Sequence, residues 1–141
     1  PWTRNRFPEG TTTRRVEIES LAGLKFDTTL FEATAGEPLE ILFKNVDPLM
    51  PHNIVFVERG KAIEIGTEST MMMSAGPAAA AEKHYVPESE DVLFHSSVLV
   101  HNRRQSLFVY APEEPGDYPF LCTFPGHWGV MQGIMRVVAA E

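Results

Sequence analysis

Ten residues near the carboxy terminus, Cys122-Thr123-Phe124-Pro125-Gly126-His127-Trp128-Gly129-Val130-Met131, set the tightest limit on what this chain can fold into. They place a thiol, an imidazole and a thioether in one short connection between two stretches that read as strands, Asp117 to Cys122 and Gly133 to Ala139. Cys122 ends an apolar strand, so its sulfur is held at the edge of a sheet. Pro125-Gly126 turns the chain and returns His127 toward the same point, and Met131 comes round from another side. A loop anchored by strands at both ends positions three side chains with little freedom. A second imidazole, His52, follows the turn-rich Asp47-Pro48-Leu49-Met50-Pro51 and enters from a different strand. Side chains drawn from two places in the sequence tie such a site to the completed fold.

The remaining punctuation is that of a β-protein. Val16 to Ser20, Leu39 to Asn45, Asn53 to Glu58 and Leu107 to Ala111 read as further short strands. The turn Glu113-Glu114-Pro115-Gly116-Asp117 predicts a hairpin between Leu107–Ala111 and Asp117–Cys122. Short strands separated by Gly/Pro turns indicate an all-β sandwich. The exception is residues 67–83, where Met71-Met72-Met73 and the run Ala78 to Lys83 favour helix around a break at Gly76-Pro77. This predicts one or two short helices inserted between strands. The methionine triplet reads as core filling, because three consecutive helical positions cannot face one ion.

With 141 residues the chain is long enough to bury a core without staples. Residues 1–15 read as a basic amino-terminal arm or linker, and residues 16–141 as a single domain. Arg4, Arg6, Arg14 and Arg15 lie in that arm with Glu9 as its only acid, so the body is more acidic than the overall charge of −7 indicates. An acidic body argues against nucleic acid as a partner, since phosphate neutralisation needs clustered Lys and Arg. It suits solubility, and it also suits steering toward a basic partner. No apolar run approaches the roughly 20 residues of a membrane helix, so membrane insertion is not expected. No signal peptide is visible, and a start at Pro1 reads as a processed or excised fragment. The single Cys allows no internal disulfide and reports nothing about compartment.

One Cys, two His and one Met form the ligand set of a type 1 copper site, a trigonal His₂Cys plane with a weak axial thioether. Zinc can use the same Cys and His, but the spacing fits neither finger pairs nor HExxH, and Met131 is a poor zinc ligand. A trinuclear copper cluster would need His-x-His pairs, and a dinuclear centre would need two cysteines. A copper storage or delivery protein is the alternative, although such proteins offer exposed, exchangeable sulfur, unlike a Cys that ends a strand. His84, His95 and His101 have no partner at ligand spacing and read as surface histidines.

Cys-Thr-Phe-Pro-Gly-His with Met four residues beyond the His, preceded far upstream by Met-x-His-Asn, resembles the azurin branch of the cupredoxins. The resemblance runs from Val16 to Val138. It implies an eight-stranded Greek-key β-sandwich with the helical insertion described above, holding one type 1 copper ion. It implies His52 and His127 as nitrogen ligands, Cys122 as the thiolate and Met131 as the long axial contact. Asn53 matches the family residue that pins the Cys-bearing loop by hydrogen bonds, and Thr123 lies in that loop. Azurins have Gly before the first His, with a carbonyl that can approach copper from the second axial side; here that residue is Pro51. They also carry a disulfide near the amino terminus, which this chain cannot form. Trp128 is expected on a contact face beside an exposed His127, with Leu49, Met50, Pro51, Phe124 and Pro125 as an apolar patch around it. The resemblance implies an outer-sphere one-electron carrier and not an enzyme. Its redox partner, such as a c-type cytochrome or an oxidoreductase, would dock near His127 in the periplasm or another extracytoplasmic space. The helical flap and the Trp after His127 are similar to cupredoxin modules attached to larger bacterial redox proteins.

Overall fold

Alternation of apolar and polar residues builds the first sheet. β1 (Arg14–Leu21) buries Val16, Ile18 and Ser20 and turns Arg15 and Glu17 outward, while β4 (Pro38–Asn45) buries Leu39, Ile41 and Phe43 completely. With β2 (Lys25–Phe26) and β7 (Arg104–Tyr110) they form a sheet of order β2-β1-β4-β7, in which β1 and β4 run parallel. The second sheet has the order β3-β9-β8-β5-β6, from β3 (Leu30–Thr34), β5 (Val55–Val57), β6 (Val92–His95), β8 (Gly116–Leu121) and β9 (Gln132–Val138). Here β3 and β9 run parallel and the other pairs are antiparallel. These assignments come from a computed structural model that describes residues 7–141. Arg4 and Arg6 of the expected arm lie outside the described residues.

Facing side chains of the two sheets fill the sandwich. Phe26 from the first sheet meets Phe120 from the second edge-on at 5.3 Å, and Phe56 lies between Phe94 and Phe120 at 4.9 and 5.2 Å. Such pairs each add about 0.5–1.5 kcal/mol beyond the area they bury. Gly133 pairs with Phe120 across β8 and β9, and a Cβ there would lie 2.2 Å from the tip of the Phe120 ring. Only glycine leaves room for that ring.

Several expectations need correction. Leu107–Ala111 and Asp117–Cys122 are not a hairpin: β7 and β8 belong to different sheets, so the Glu113–Asp117 turn carries the chain across the sandwich. Tyr118 fixes that crossing by donating from its hydroxyl to Glu114 O at 2.6 Å. Among the described residues there are nine strands instead of eight; β2, β3 and β6 were not foreseen, being short or only partly buried. The strand expected over Asn53–Glu58 shrinks to Val55–Val57, and His52 pairs with Leu99 through an isolated bridge. Arg14 and Arg15 belong to β1 and pair with Glu37 and Glu40.

The insertion is helical, as α1 (Ala62–Ala75) and α2 (Pro77–Glu82) broken at Gly76-Pro77, and it begins five residues earlier than expected. Its methionines do not fill the core. Met71 is 63% exposed, because α1 packs through the narrow face of Ile65, Gly66 and Ser69.

Candidate metal centre

Backbone bonds bring the carboxy-terminal loop together. Cys122 follows β8 directly, and its amide donates to Met131 O at 3.2 Å. The amides of His127 and Met131 donate to Phe124 O at 3.1 Å and His127 O at 3.0 Å. His52 arrives from the other side of the site, its amide donating to Leu99 O at 3.1 Å and its carbonyl accepting from Leu99 N at 2.8 Å. Beneath this bridge Asn45 is saturated. Its Nδ2 donates to Met50 O and Leu99 O, and its Oδ1 accepts from Ser20 Oγ and Asp47 N. A buried polar network with every member satisfied holds the His52 segment rigid.

Cys122 Sγ lies 3.7 Å from His52 Nδ1 and 3.6 Å from His127 Nδ1. The three side chains are buried and their donor atoms all lie within 4.8 Å of one another. Metal–sulfur and metal–nitrogen bonds of about 2.3 and 2.0 Å give a sulfur–nitrogen edge of about 3.7 Å in a trigonal plane and about 3.5 Å in a tetrahedron. Both observed edges fit donors that share one metal ion, and one soft thiolate with two imidazoles suits copper. Met131 is fully buried beside the cluster, fixed by its backbone to both Cys122 and His127.

The surroundings set the protonation of these groups. Burial pushes the Cys122 thiol up to about 11, against the pull of the Asn53 and Phe124 amides, which favour the thiolate. Burial, with a contribution from His52, pushes His127 down to about 4. Burial opposes ionisation of Asp47, yet the hydrogen bond from His52 and those from the Leu49 and Met50 amides hold its carboxyl below the usual value.

Asn53 and Thr123 meet across the site. Asn53 Nδ2 donates to Thr123 Oγ1 at 2.8 Å, and Thr123 N donates to Asn53 Oδ1 at 2.8 Å. This reciprocal pair joins the His52 segment to the Cys122 loop. Pro51 is half-buried immediately before His52. Two expectations do not hold. His127 is 2% exposed, not an open edge, with the Phe124 ring centred 5.0 Å from its own. Trp128 is not a free contact face: its ring lies on Gly66 of α1, where a Cβ would approach it to 2.2 Å, and its Nε1 donates to Thr70 Oγ1 at 3.0 Å. Of the residues expected to form an apolar patch, Leu49 and Met50 are 85% and 38% exposed while Pro51, Phe124 and Pro125 are half-buried, and Val130 in the same loop is 68% exposed.

His84 is half-buried and also departs from a surface role. It accepts Val98 N on Nδ1, and its carbonyl accepts Asn53 Nδ2. His84 and the following Tyr85 both take positive φ, 54° and 60°, and Tyr85 stands edge-on to Phe124 at 5.1 Å. The end of the helical insertion is thereby joined to the metal loop. Sequence reasoning missed this role of His84, together with those of Asn45, Asp47 and Gly66. The one available signal was polar residues crowded just ahead of His52.

A two-sheet β-sandwich with a buried Cys and two His at one end, on strand-anchored loops, is the architecture of a blue copper protein. The sequence matches the family described as copper binding proteins, plastocyanin/azurin family, over residues 12–138. It is 33% identical to auracyanin-A of Chloroflexus aurantiacus over 114 residues, 81% of this chain and 67% of the relative. It is 30% identical to azurin of Alcaligenes faecalis over 131 residues, 86% of this chain and 96% of the relative. The solved structure of auracyanin A, a "blue" copper protein, superposes with a TM-score of 0.78 at 32% identity, covering 90% of this chain and all (100%) of that one. The chain belongs to the plastocyanin/azurin family of copper-binding proteins. Its cofactor is copper, and its activity is the one-electron transfer of that class and not an enzymatic conversion.

Proposed function

We propose that His52 Nδ1, His127 Nδ1, Cys122 Sγ and the Met131 thioether would together hold one copper ion. The observation that carries this reading is the buried cluster of one thiol and two imidazole nitrogens within 4.8 Å of one another. Bound copper supplies a one-electron couple, Cu(II)/Cu(I), that needs no bond to a substrate. Asn53 and Thr123 fix the thiolate-bearing loop, and the Asn53 and Phe124 amides point at the sulfur. A shell held by hydrogen bonds on both sides changes little between oxidation states, which suits rapid transfer. The Pro51 carbonyl, directly before His52, is a further candidate to approach the ion.

Partner docking is assigned to the apolar side chains of the two metal-bearing loops, Leu49, Met50, Phe124, Pro125 and Val130, of which Phe124 covers His127. Small, transient faces are usual for redox encounters. A redox protein such as a c-type cytochrome or an oxidoreductase suits that face. Following the family resemblance, we place the protein in the periplasm or an equivalent extracytoplasmic space. No described helix is long and apolar enough to cross a membrane.

The test is the visible spectrum after adding Cu(II) to metal-free protein. The expected result is an intense band at the red end, with a narrow copper hyperfine splitting in the paramagnetic spectrum. A pale solution that prefers zinc refutes the assignment. His127→Gly should still bind copper but with an opened position, so its native spectrum should return only when imidazole is added.

A further inference from the structure

The two histidines of the cluster are held in opposite ways. His52 turns Nδ1 to Cys122, and its far nitrogen, Nε2, lies 2.7 Å from Asp47 Oδ2. His127 also turns Nδ1 to Cys122, but its Nε2 is buried with no hydrogen-bond partner among the described residues. Asp47 is itself 2% exposed, and its second oxygen accepts from Leu49 N at 2.9 Å and Met50 N at 3.3 Å. The carboxylate is therefore fixed on both oxygens before any metal arrives. A carboxylate only accepts, so the hydrogen in the short contact sits on His52 Nε2, leaving the Nδ1 lone pair turned to the sulfur.

We propose that Asp47 is a positioning residue of the metal centre, whose carboxylate locks His52 in the Nε2–H tautomer and lowers the reduction potential of the bound copper. The inference rests on the copper assignment above. An imidazole that donates to a carboxylate is a more basic ligand through its other nitrogen. A buried negative charge one ring away also favours the more positive oxidation state, with little screening by water. The electron comes from one redox partner and leaves to another. No proton crosses the Asp47–His52 bond, so the effect is a bias on the couple and not a coupled proton transfer.

An amide cannot take the place of this carboxylate. Two backbone N–H groups face one oxygen and an imidazole N–H faces the other. Asparagine offers one acceptor and one donor. It must aim its NH₂ either at the Leu49 and Met50 amides, opening the turn, or at His52, favouring the Nδ1–H tautomer that withdraws the lone pair from the metal. In either orientation the charge is lost.

The first readout needs neither copper nor a variant. Nitrogen-15 imidazole spectra of the metal-free protein should show His52 protonated on Nε2, and protonation on Nδ1 would overturn the proposal. The second readout is a redox titration of copper-loaded Asp47→Asn. Its midpoint should rise by about 59 mV or more, a tenfold shift in the Cu(I)/Cu(II) ratio at a fixed ambient potential. An unchanged or lower midpoint in folded Asp47→Asn refutes the tuning role while leaving the copper assignment intact. Asp47→Glu keeps the charge and should stay within that tenfold. If Asp47→Asn does not fold, a larger rise in Asp47→Glu overturns the proposal in its place. A wild-type protein that forms no blue site refutes the copper assignment instead, and the imidazole spectra still decide the tautomer.

Discussion

Cys122 enters metal binding as a thiol. Burial holds it up at about 11, and the ligand form is the thiolate, so an incoming ion must displace a hydrogen. Both imidazoles offer Nδ1 lone pairs and release nothing if they start neutral, which the downward shift of His127 ensures for that ring at pH 7. Copper uptake at pH 7 should therefore release about one proton per ion. Calorimetric titration in buffers of different ionisation enthalpy reads that number, and uptake with no proton released would remove Cys122 from the ligand set. At this scale the donors were legible, because three of them share a ten-residue loop between strands and the fourth sits in Met-x-His-Asn. Asp47 was not. In the sequence it is the first half of an Asp-Pro turn signal, and only the fold shows its carboxylate turned inward under His52. The burial of His127 was equally hidden, since a Phe three residues earlier does not announce that its ring will cover the imidazole.

Between elements, the contact that most directly ties the insertion to the site is the Trp128 ring on Gly66. Helix propensity alone makes Gly→Ala in a helix interior a gain of about 0.8–1.0 kcal/mol. Here a Cβ would lie 2.2 Å from the indole, between a helix and a metal loop that are both anchored. Overpacking of that kind costs typically about 1–3 kcal/mol, more than the propensity gain returns. Gly66→Ala should thus destabilise the protein, with the loss of the Trp128–Thr70 hydrogen bond seen as a shifted indole N–H resonance. Urea unfolding followed by far-ultraviolet circular dichroism measures the change, and a more stable variant would show that the ring does not rest on the helix. The helices themselves were legible from their alanines, methionines and the Gly76-Pro77 break. Which face they bury was not, because Met71-Met72-Met73 are apolar all round and the packing stripe is made by Ile65, Gly66 and Ser69. Trp128 was read outward for the same reason: its partner is a glycine, which leaves no apolar mark in the sequence.

For the whole molecule, strand alternation was enough to indicate a sandwich, yet strand order was not local information. The Glu113–Asp117 turn looks like a hairpin turn and instead joins the two sheets, since β8 is already paired on one side with β9 and on the other with β5. That crossing matters for stability against acid, because it delivers Cys122 and His127 to the closed end of the sandwich, where His52, Asp47 and His127 are all buried. Native His127 is pushed down from its ordinary 6.5 to about 4, whereas in the unfolded chain it titrates near the ordinary value. Between these limits the unfolded state binds a proton that the native state refuses, so stability falls as pH drops. Burial shifts His95 in the same direction, and the lowered carboxyl of Asp47 extends the loss to still lower pH. The metal-free protein should be most stable above about pH 6.5 and weaken steadily toward about pH 4. Urea midpoints measured across that range should show a clear slope, reduced in His127→Gly. Copper-loaded protein should show a steeper slope, because the bound Cys122 thiolate and the bound Nδ1 atoms carry no proton, whereas the unfolded chain, which does not hold the ion, takes those protons up. A metal-free midpoint that stays flat from pH 7 to pH 5 would mean that solvent reaches His127, and that the closed end of the sandwich opens in solution.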